Sequence, residues 1–168
     1  MSRDFNTASA TQTKDEWLTP PAVIAALGCF DLDPCSPIVR PWDTATTHFD
    51  INADGMKQPW FGRVWLNPPY GDQTFNWLAK LAAHRNGIAL VFARTETKGF
   101  HREVWQKADA LLFFEGRLKF FHVTGEAGGA ANAPSVLVAY GEENAAALKS
   151  ACERGLLRGQ FIRLRGDA

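Results

Sequence analysis

Several classes of function are closed to this chain by what it lacks. Cysteine is scarce: Cys29, Cys35 and Cys152 are an odd set, and Cys29 and Cys35 have no partner cysteine or histidine at the spacing of a zinc site. A disulfide framework is therefore not expected, and reduced thiols in a cytoplasm are. No apolar run approaches the roughly 20 residues of a membrane span, so no membrane partner is expected. The N-terminal MSRDFNTASATQTKDEW is polar and has no apolar signal-peptide core, and residues 1–14 are expected to form a loose arm. There is no internal repeat. The glycine-rich GEAGGAANAP is not the GxxxxGK of a phosphate loop and reads as a flexible, substrate-covering loop. Net charge is also missing, with 18 basic and 18 acidic residues. That removes a global electrostatic signature of nucleic-acid binding and leaves only local patches to supply phosphate contacts.

What is present suits one domain of ordinary size, residues 15–168, with 46% hydrophobic residues to build its core. Charge is uneven. Residues 31–54 hold five Asp (31, 33, 43, 50, 54) against Arg40, and residues 149–168 hold Lys149, Arg154, Arg158, Arg163 and Arg165 against Glu153 and Asp167. Helical and extended stretches alternate. Thr19 reads as the N-cap of a helix in TPPAVIAAL, with Gly28 beyond its end. CFDLDP is a short strand, residues 36–60 are mostly loop, and RVWLN is a strand stopped by Pro68. Phe75, Leu78, Leu81 and Ala82 share one face of a helix that Asn86-Gly87 closes. IALVFA is apolar throughout, as a strand buried on both faces should be. KGFHREVWQKA is a helix, ALLFFEGRLKFFHV a strand or hairpin, PSVLVAYG a strand, ENAAALKSACERG a helix and QFIRLR an edge strand. The pattern predicts an α/β fold with a mostly parallel sheet, which binds ligands at the carboxyl ends of its strands. DLDPCS and NPPYGD both lie at such ends.

Asn67-Pro68-Pro69-Tyr70 is the most informative stretch. Each proline fixes its own φ and restricts the residue before it, so the segment is extended and rigid. It presents two acceptors, the Asn67 amide oxygen and the Pro68 carbonyl, and together they can take both protons of one –NH₂ group. Tyr70 adds a ring that can stack on the group bearing that amine, a contact worth about 1–3 kcal/mol for a base. The set suits adenine, cytosine or a glutamine amide. Two acceptors can hold such a delocalised amine nearer to tetrahedral and aim its lone pair.

Asn67-Pro68-Pro69-Tyr70 matches the catalytic motif of amino-methyltransferases that use S-adenosylmethionine. Asp15-Glu16-Trp17-Leu18-Thr19-Pro20 before an apolar helix looks like the N-terminal cofactor motif of adenine-specific members. FDLDPCSP resembles a reduced form of their first strand-and-loop motif. DGMKQPWFGRVWLNPPYG, GRLKF and APSVLVAY resemble later blocks of the phage N-6-adenine DNA methyltransferase family, the small Dam-like enzymes of phages and prophages. The resemblance runs from about Asp15 to Tyr140. It implies a Rossmann-like methyltransferase fold, S-adenosylmethionine as methyl donor, no metal, DNA as partner, and a cytoplasmic enzyme of a bacterial host. By the same resemblance Asn67 and the Pro68 carbonyl hold the target amine and Tyr70 stacks on a flipped-out adenine. Trp17, Thr19, Pro20, Asp31, Asp33, Pro34 and Cys35 would line the cofactor site. Two departures stand out. DLDPCSP has prolines where glycines are usual, and no insertion is large enough for a separate target-recognition domain.

Arg94 and Lys98 follow a central strand and are candidates for DNA phosphate, as are Arg117 and Lys119, which share a face in GRLKFF. His101 and His122 have no role in this chemistry, and Cys35 is a small lining residue. Trp42, Trp60, Trp65, Trp77 and Trp105 are expected in the core. Two alternatives stay open at this level: the same chemistry on an RNA base or protein glutamine, and a non-catalytic DNA-binding module with a degenerate methyltransferase fold.

Overall fold

A computed structural model describes residues 17–166, so the expected arm at 1–14 lies outside the described residues. In chain order the elements are α1 (Pro21–Leu27), β1 (Leu32–Asp33), β2 (Thr47–His48), β3 (Val64–Leu66), α2 (Thr74–His84) and β4 (Gly87–Phe92). Then come α3 (Lys98–Phe100), which runs on as a π-helical turn over His101–Trp105, β5 (Ala110–Phe114), β6 (Lys119–Phe121), β7 (Ala127–Ala130), β8 (Ser135–Tyr140), α4 (Glu142–Glu153) and β9 (Gly159–Arg163). Seven strands form one sheet in the order β2-β1-β3-β4-β8-β5-β9, and β6 and β7 form a separate hairpin.

The expected α/β class holds, with a difference in the sheet. β2, β1, β3 and β4 pair in parallel, whereas β8 pairs antiparallel with both β4 and β5, and β9 antiparallel with β5. Five strands thus share one direction, yet half of the neighbouring pairs are antiparallel. The composition of β8 explains its central place: all six residues of SVLVAY are buried, while β9 alternates half-buried and exposed residues and takes the edge.

Side-chain alternation divides the core into two layers. Ile88, Leu90, Leu137 and Ala139 face α1 and α4, meeting Val23, Leu27, Ala145 and Leu148. Ala89, Val91, Val136 and Val138 face the other way, against Leu78 and Leu81 of α2 and Phe100 and Val104 of the π-helical turn. Fully burying each such Leu or Val contributes about 1.5–3 kcal/mol.

Several local expectations change. Thr19 does not cap α1: Pro20 stands at the cap, with no side-chain bond. The left-handed residue that closes α2 is Arg85, with φ 64°, and Gly87 already belongs to β4. ALLFFEGRLKFFHV breaks at Gly116, giving β5 to the main sheet and β6 to the hairpin. GEAGGAANAP supplies β7 of that hairpin and is not wholly loop. Of the five tryptophans expected in the core, Trp65 alone is fully buried; Trp42, Trp60, Trp77 and Trp105 are half-buried, with Trp60, Trp77 and Trp105 packed on the rim of one core layer. No helix among the described residues is long and apolar enough to cross a membrane.

Candidate active site

The chain order of the sheet reverses at β1 and β3. From β1 the chain passes to β2 on one side, and from β3 to β4 on the other. Loops leaving the carboxyl ends of two such strands part in opposite directions and leave a crevice between them. A cavity of about 460 Å³ lies there. One wall is Asp33, Pro34, Cys35, Ser36 and Pro37 after β1; the opposite wall is Asn67, Pro68, Pro69 and Tyr70 after β3; Trp17, Leu18 and Thr19 close a third side. The two motifs met separately in the sequence therefore share one cavity. Pro20 and Asp31 lie outside its lining. Asp31 is exposed and its carboxylate accepts the Arg63 backbone N–H at 2.7 Å, so of the acidic pair only Asp33 faces the cavity. Residues two apart on one strand share a face, but Asp31 precedes β1 and its carboxylate is turned to the Arg63 backbone instead.

Asn67 is held from behind. Its Nδ2 donates to the Trp17 carbonyl and to Thr19 Oγ1, each at 3.3 Å. A carbonyl only accepts, so the amide end facing Trp17 must be the nitrogen, and the oxygen is the end left for an incoming donor. The Thr74 hydroxyl donates to the Pro69 carbonyl at 2.6 Å, anchoring the far end of the motif to the start of α2. The Pro68 carbonyl receives no hydrogen bond from the described residues. The motif thus offers two acceptors on a braced backbone.

Tyr70 lines the cavity and lies flat on Phe92, with ring centroids 4.1 Å apart and planes 5° from parallel. Burial pushes its phenol up to about 12, so the ring stays neutral. The Arg94 guanidinium stands 5.8 Å from the Phe92 centroid on the same stack. Phe92 had no signal of its own in the sequence, being one apolar residue of a buried strand. Its position at the carboxyl end of β4, beside β3, makes it part of the site.

Asp33 is 4% exposed. Burial pushes its carboxyl up to about 6, against the pull of hydrogen bonds from the Thr44 hydroxyl and the Cys35 N–H. Thr44 is tied a second time, through its N–H to His48 Nε2 at 3.3 Å. Burial, with Arg40 adding to it, holds the His48 imidazole below its ordinary range, which keeps Nε2 free to accept. Gly55 explains how a proline-rich loop manages close packing. A Cβ there would lie 2.0 Å from the Pro34 carbonyl oxygen. The close backbone approach is made by a glycine about twenty residues downstream of DLDPCSP. Lys80 of α2 fastens the same loop, its ammonium donating to the Met56 and Gln58 carbonyls at 2.7 and 2.5 Å.

The basic candidates fall outside the cavity. Arg94 and Lys98 are exposed beyond β4, at the sheet edge that carries Asn67. Arg117 and Lys119 are exposed at the hairpin. Leu18 joins that hairpin to the cavity wall: its N–H and C=O pair with Phe121 at 2.8 and 3.0 Å. His122 is used there, its ring 4.7 Å from that of Trp17. Among the described residues no group of three His, Cys, Asp or Glu side chains is placed to hold a metal ion.

No curated protein and no solved structure matches the chain. A protein family does, and over most of its length: residues 6–155 match the family described as DNA N-6-adenine-methyltransferase (Dam). The matched span contains both walls of the cavity, the segment that closes it and the hairpin. The chain belongs to the DNA N-6-adenine-methyltransferase (Dam) family, and is an S-adenosylmethionine-dependent DNA adenine methyltransferase.

Proposed function

We propose that the crevice between β1 and β3, in a Rossmann-like sheet, holds both reactants of a site-specific methylation of adenine in DNA. The observation that carries this reading is the orientation of Asn67. With its nitrogen committed to Trp17 and Thr19, its oxygen and the Pro68 carbonyl form a pair of acceptors beside an aromatic face. That pair suits an exocyclic amine, each acceptor taking one N–H.

The cavity chemistry fits S-adenosylmethionine. Asp33 supplies a buried carboxylate for its positive charge, and the indole N–H of Trp65, a cavity-lining residue, is buried without an acceptor. Pro34, Pro37, Ile51 and Trp77 give apolar walls for a flat ring. Bound there, S-adenosylmethionine supplies a methyl group made electrophilic by its sulfonium.

The protein's part is positioning and electrostatics. Asn67 and Pro68 pull the two amine protons toward themselves and draw the nitrogen lone pair out of the ring. Tyr70 holds the base plane by stacking. The amine nitrogen would take the methyl group as its bond to sulfur breaks, and the extra proton on nitrogen would leave to solvent afterward, so no strong base is needed beforehand. An adenine inside a duplex is out of reach, so the base is extruded into the crevice. Arg94 and Lys98 on one side, and Arg117 and Lys119 on the hairpin, hold the flanking phosphates. Every described element belongs to the main sheet, its helices or the hairpin, so sequence preference resides in loops and the hairpin.

The test is methyl transfer from labelled S-adenosylmethionine to DNA lacking adenine methylation, with nucleoside analysis of the product. N-6-methyl-2′-deoxyadenosine is expected. Label in cytosine, in RNA alone or in protein would overturn the acceptor assignment. An absence of transfer together with an absence of cofactor binding would leave a degenerate DNA-binding module.

A further inference from the structure

The geometry points to Thr19 as a positioning residue that, beside the Trp17 carbonyl, locks the Asn67 amide with its oxygen toward the substrate, a role separate from lining the cofactor cavity. This rests on the reading of Asn67 given above. An amide side chain is nearly symmetric in shape, so packing alone does not choose between its oxygen and its nitrogen. The choice is made by what stands behind it. Here the Trp17 carbonyl, which only accepts, makes the choice, and Thr19 Oγ1, accepting a second N–H, holds the amide in it; each lies 3.3 Å from Nδ2. Reversed, the amide would set its oxygen against the Trp17 carbonyl and present two N–H donors to an amine that is itself a donor. That arrangement is repulsive on both sides.

The segment that carries these acceptors is held in place. Leu18 exchanges both backbone hydrogen bonds with Phe121 of β6, at 2.8 and 3.0 Å. The Trp17 ring rests on His122, and a Cβ on Gly128 of β7 would come within 2.8 Å of it. Pro20 restricts Thr19 to an extended backbone. Thr19 is 3% exposed and its hydroxyl makes no cap bond to α1, so Asn67 is what that hydroxyl serves. The hairpin therefore braces residues 17–19, two of which, through the Trp17 carbonyl and Thr19 Oγ1, fix the amide.

The experiment compares Thr19→Val, which keeps the branched shape without the hydroxyl, with Thr19→Ser, which keeps the hydroxyl. Three quantities are measured: kcat on unmethylated DNA, the Kd for S-adenosylhomocysteine by titration calorimetry, and the thermal midpoint. Thr19→Val is expected to lower kcat about 10- to 100-fold, the scale of a misaligned reacting group. Its Kd should stay within about twofold of wild type, and Thr19→Ser should recover kcat to within a few-fold. The two roles separate cleanly. A weakened Kd that accounts for the whole loss, with no rescue by Ser, would make Thr19 a cofactor contact and overturn the inference. An unchanged kcat in Thr19→Val would overturn it too. Should Val disturb folding, the thermal midpoint will show it and Thr19→Ala takes its place. Asn67→Ala serves as the reference. In its background Thr19→Val should cost nothing further, because the two act as one unit. Full activity of Asn67→Ala would instead refute the underlying reading of the motif, an outcome distinct from failure of Thr19 alone.

Discussion

The two halves of the sheet are built differently. On the parallel side β2, β1 and β3 have two, two and three residues; on the antiparallel side β8, β5 and β9 have six, five and five. The short strands carry the candidate site, and the long ones carry little but core. Parallel strands all end at the same edge, so the loops after β1 and β3 converge there. Antiparallel strands end alternately at either edge, and neither edge accumulates polar loops. The short half is then held from outside. Lys80 fastens the loop at 56–58, the Trp60 indole donates to the Gly55 carbonyl at 2.8 Å, and Thr74 fastens Pro69. The candidate site and the longest buried strands thus sit on opposite sides of one sheet.

Mutations should separate the halves. Asn67→Ala is expected to reduce turnover about 10²- to 10³-fold, as loss of a preorganised polar group commonly does. Its denaturation midpoint should stay near that of wild type, since Asn67 is half-buried at the end of its strand. Leu137→Ala should do the reverse. It empties a fully buried position in β8 and should cost about 3 kcal/mol of stability in urea titration. Turnover per folded molecule should hardly change. A large loss of specific activity in Leu137→Ala would break the comparison.

Smaller effects come from charge and stacking within the active half. Asp33 has its folded-state pKa raised to about 6 by burial, above the ordinary value of an unfolded Asp. The folded protein therefore holds a proton that the unfolded chain releases. This contribution favours folding below about pH 4 and is lost as pH rises toward about 6. Cofactor binding should run the other way. The carboxylate attracts a cation only when ionised, so affinity for S-adenosylmethionine should fall by up to about tenfold per pH unit below about 6. Calorimetric titrations across pH 5–8 check both slope and sign, and Asp33→Asn should flatten the profile. The smallest change expected is for Phe92→Leu. Removing an aromatic stack of this kind costs about 0.5–1.5 kcal/mol. Turnover should drop a few-fold, with Phe92→Tyr close to wild type. Fluorescence of 2-aminopurine at the target position would show whether Tyr70 still orders the flipped base.

Local chemistry made one half of this arrangement legible. Two prolines impose extended backbone on Asn67 whatever surrounds it, and the apolar run before them requires a buried strand. The cluster of Asp residues after CF placed an acid at another strand end. These signals depend on neighbours in the chain, and the structure keeps them. Which of Asp31 and Asp33 faces inward depended on where β1 sits between β2 and β3. The mixed pairing depended on β8 entering between β4 and β5, a contact between segments over forty residues apart at Gly87 and Tyr140.

The sequence by itself determined the rigid acceptor pair at Asn67 and Pro68, the aromatic ring beside it, and the alternation of strands and helices, because proline geometry and side-chain periodicity act within a few residues. Only the tertiary structure decided that Thr19 stands behind Asn67, that Phe92 lies flat on Tyr70, and that Gly55 lets the backbone close on Pro34. Those pairs are separated by some twenty to fifty positions. They come together only when strands align their carboxyl ends along one edge, and no local rule of propensity or spacing records that alignment.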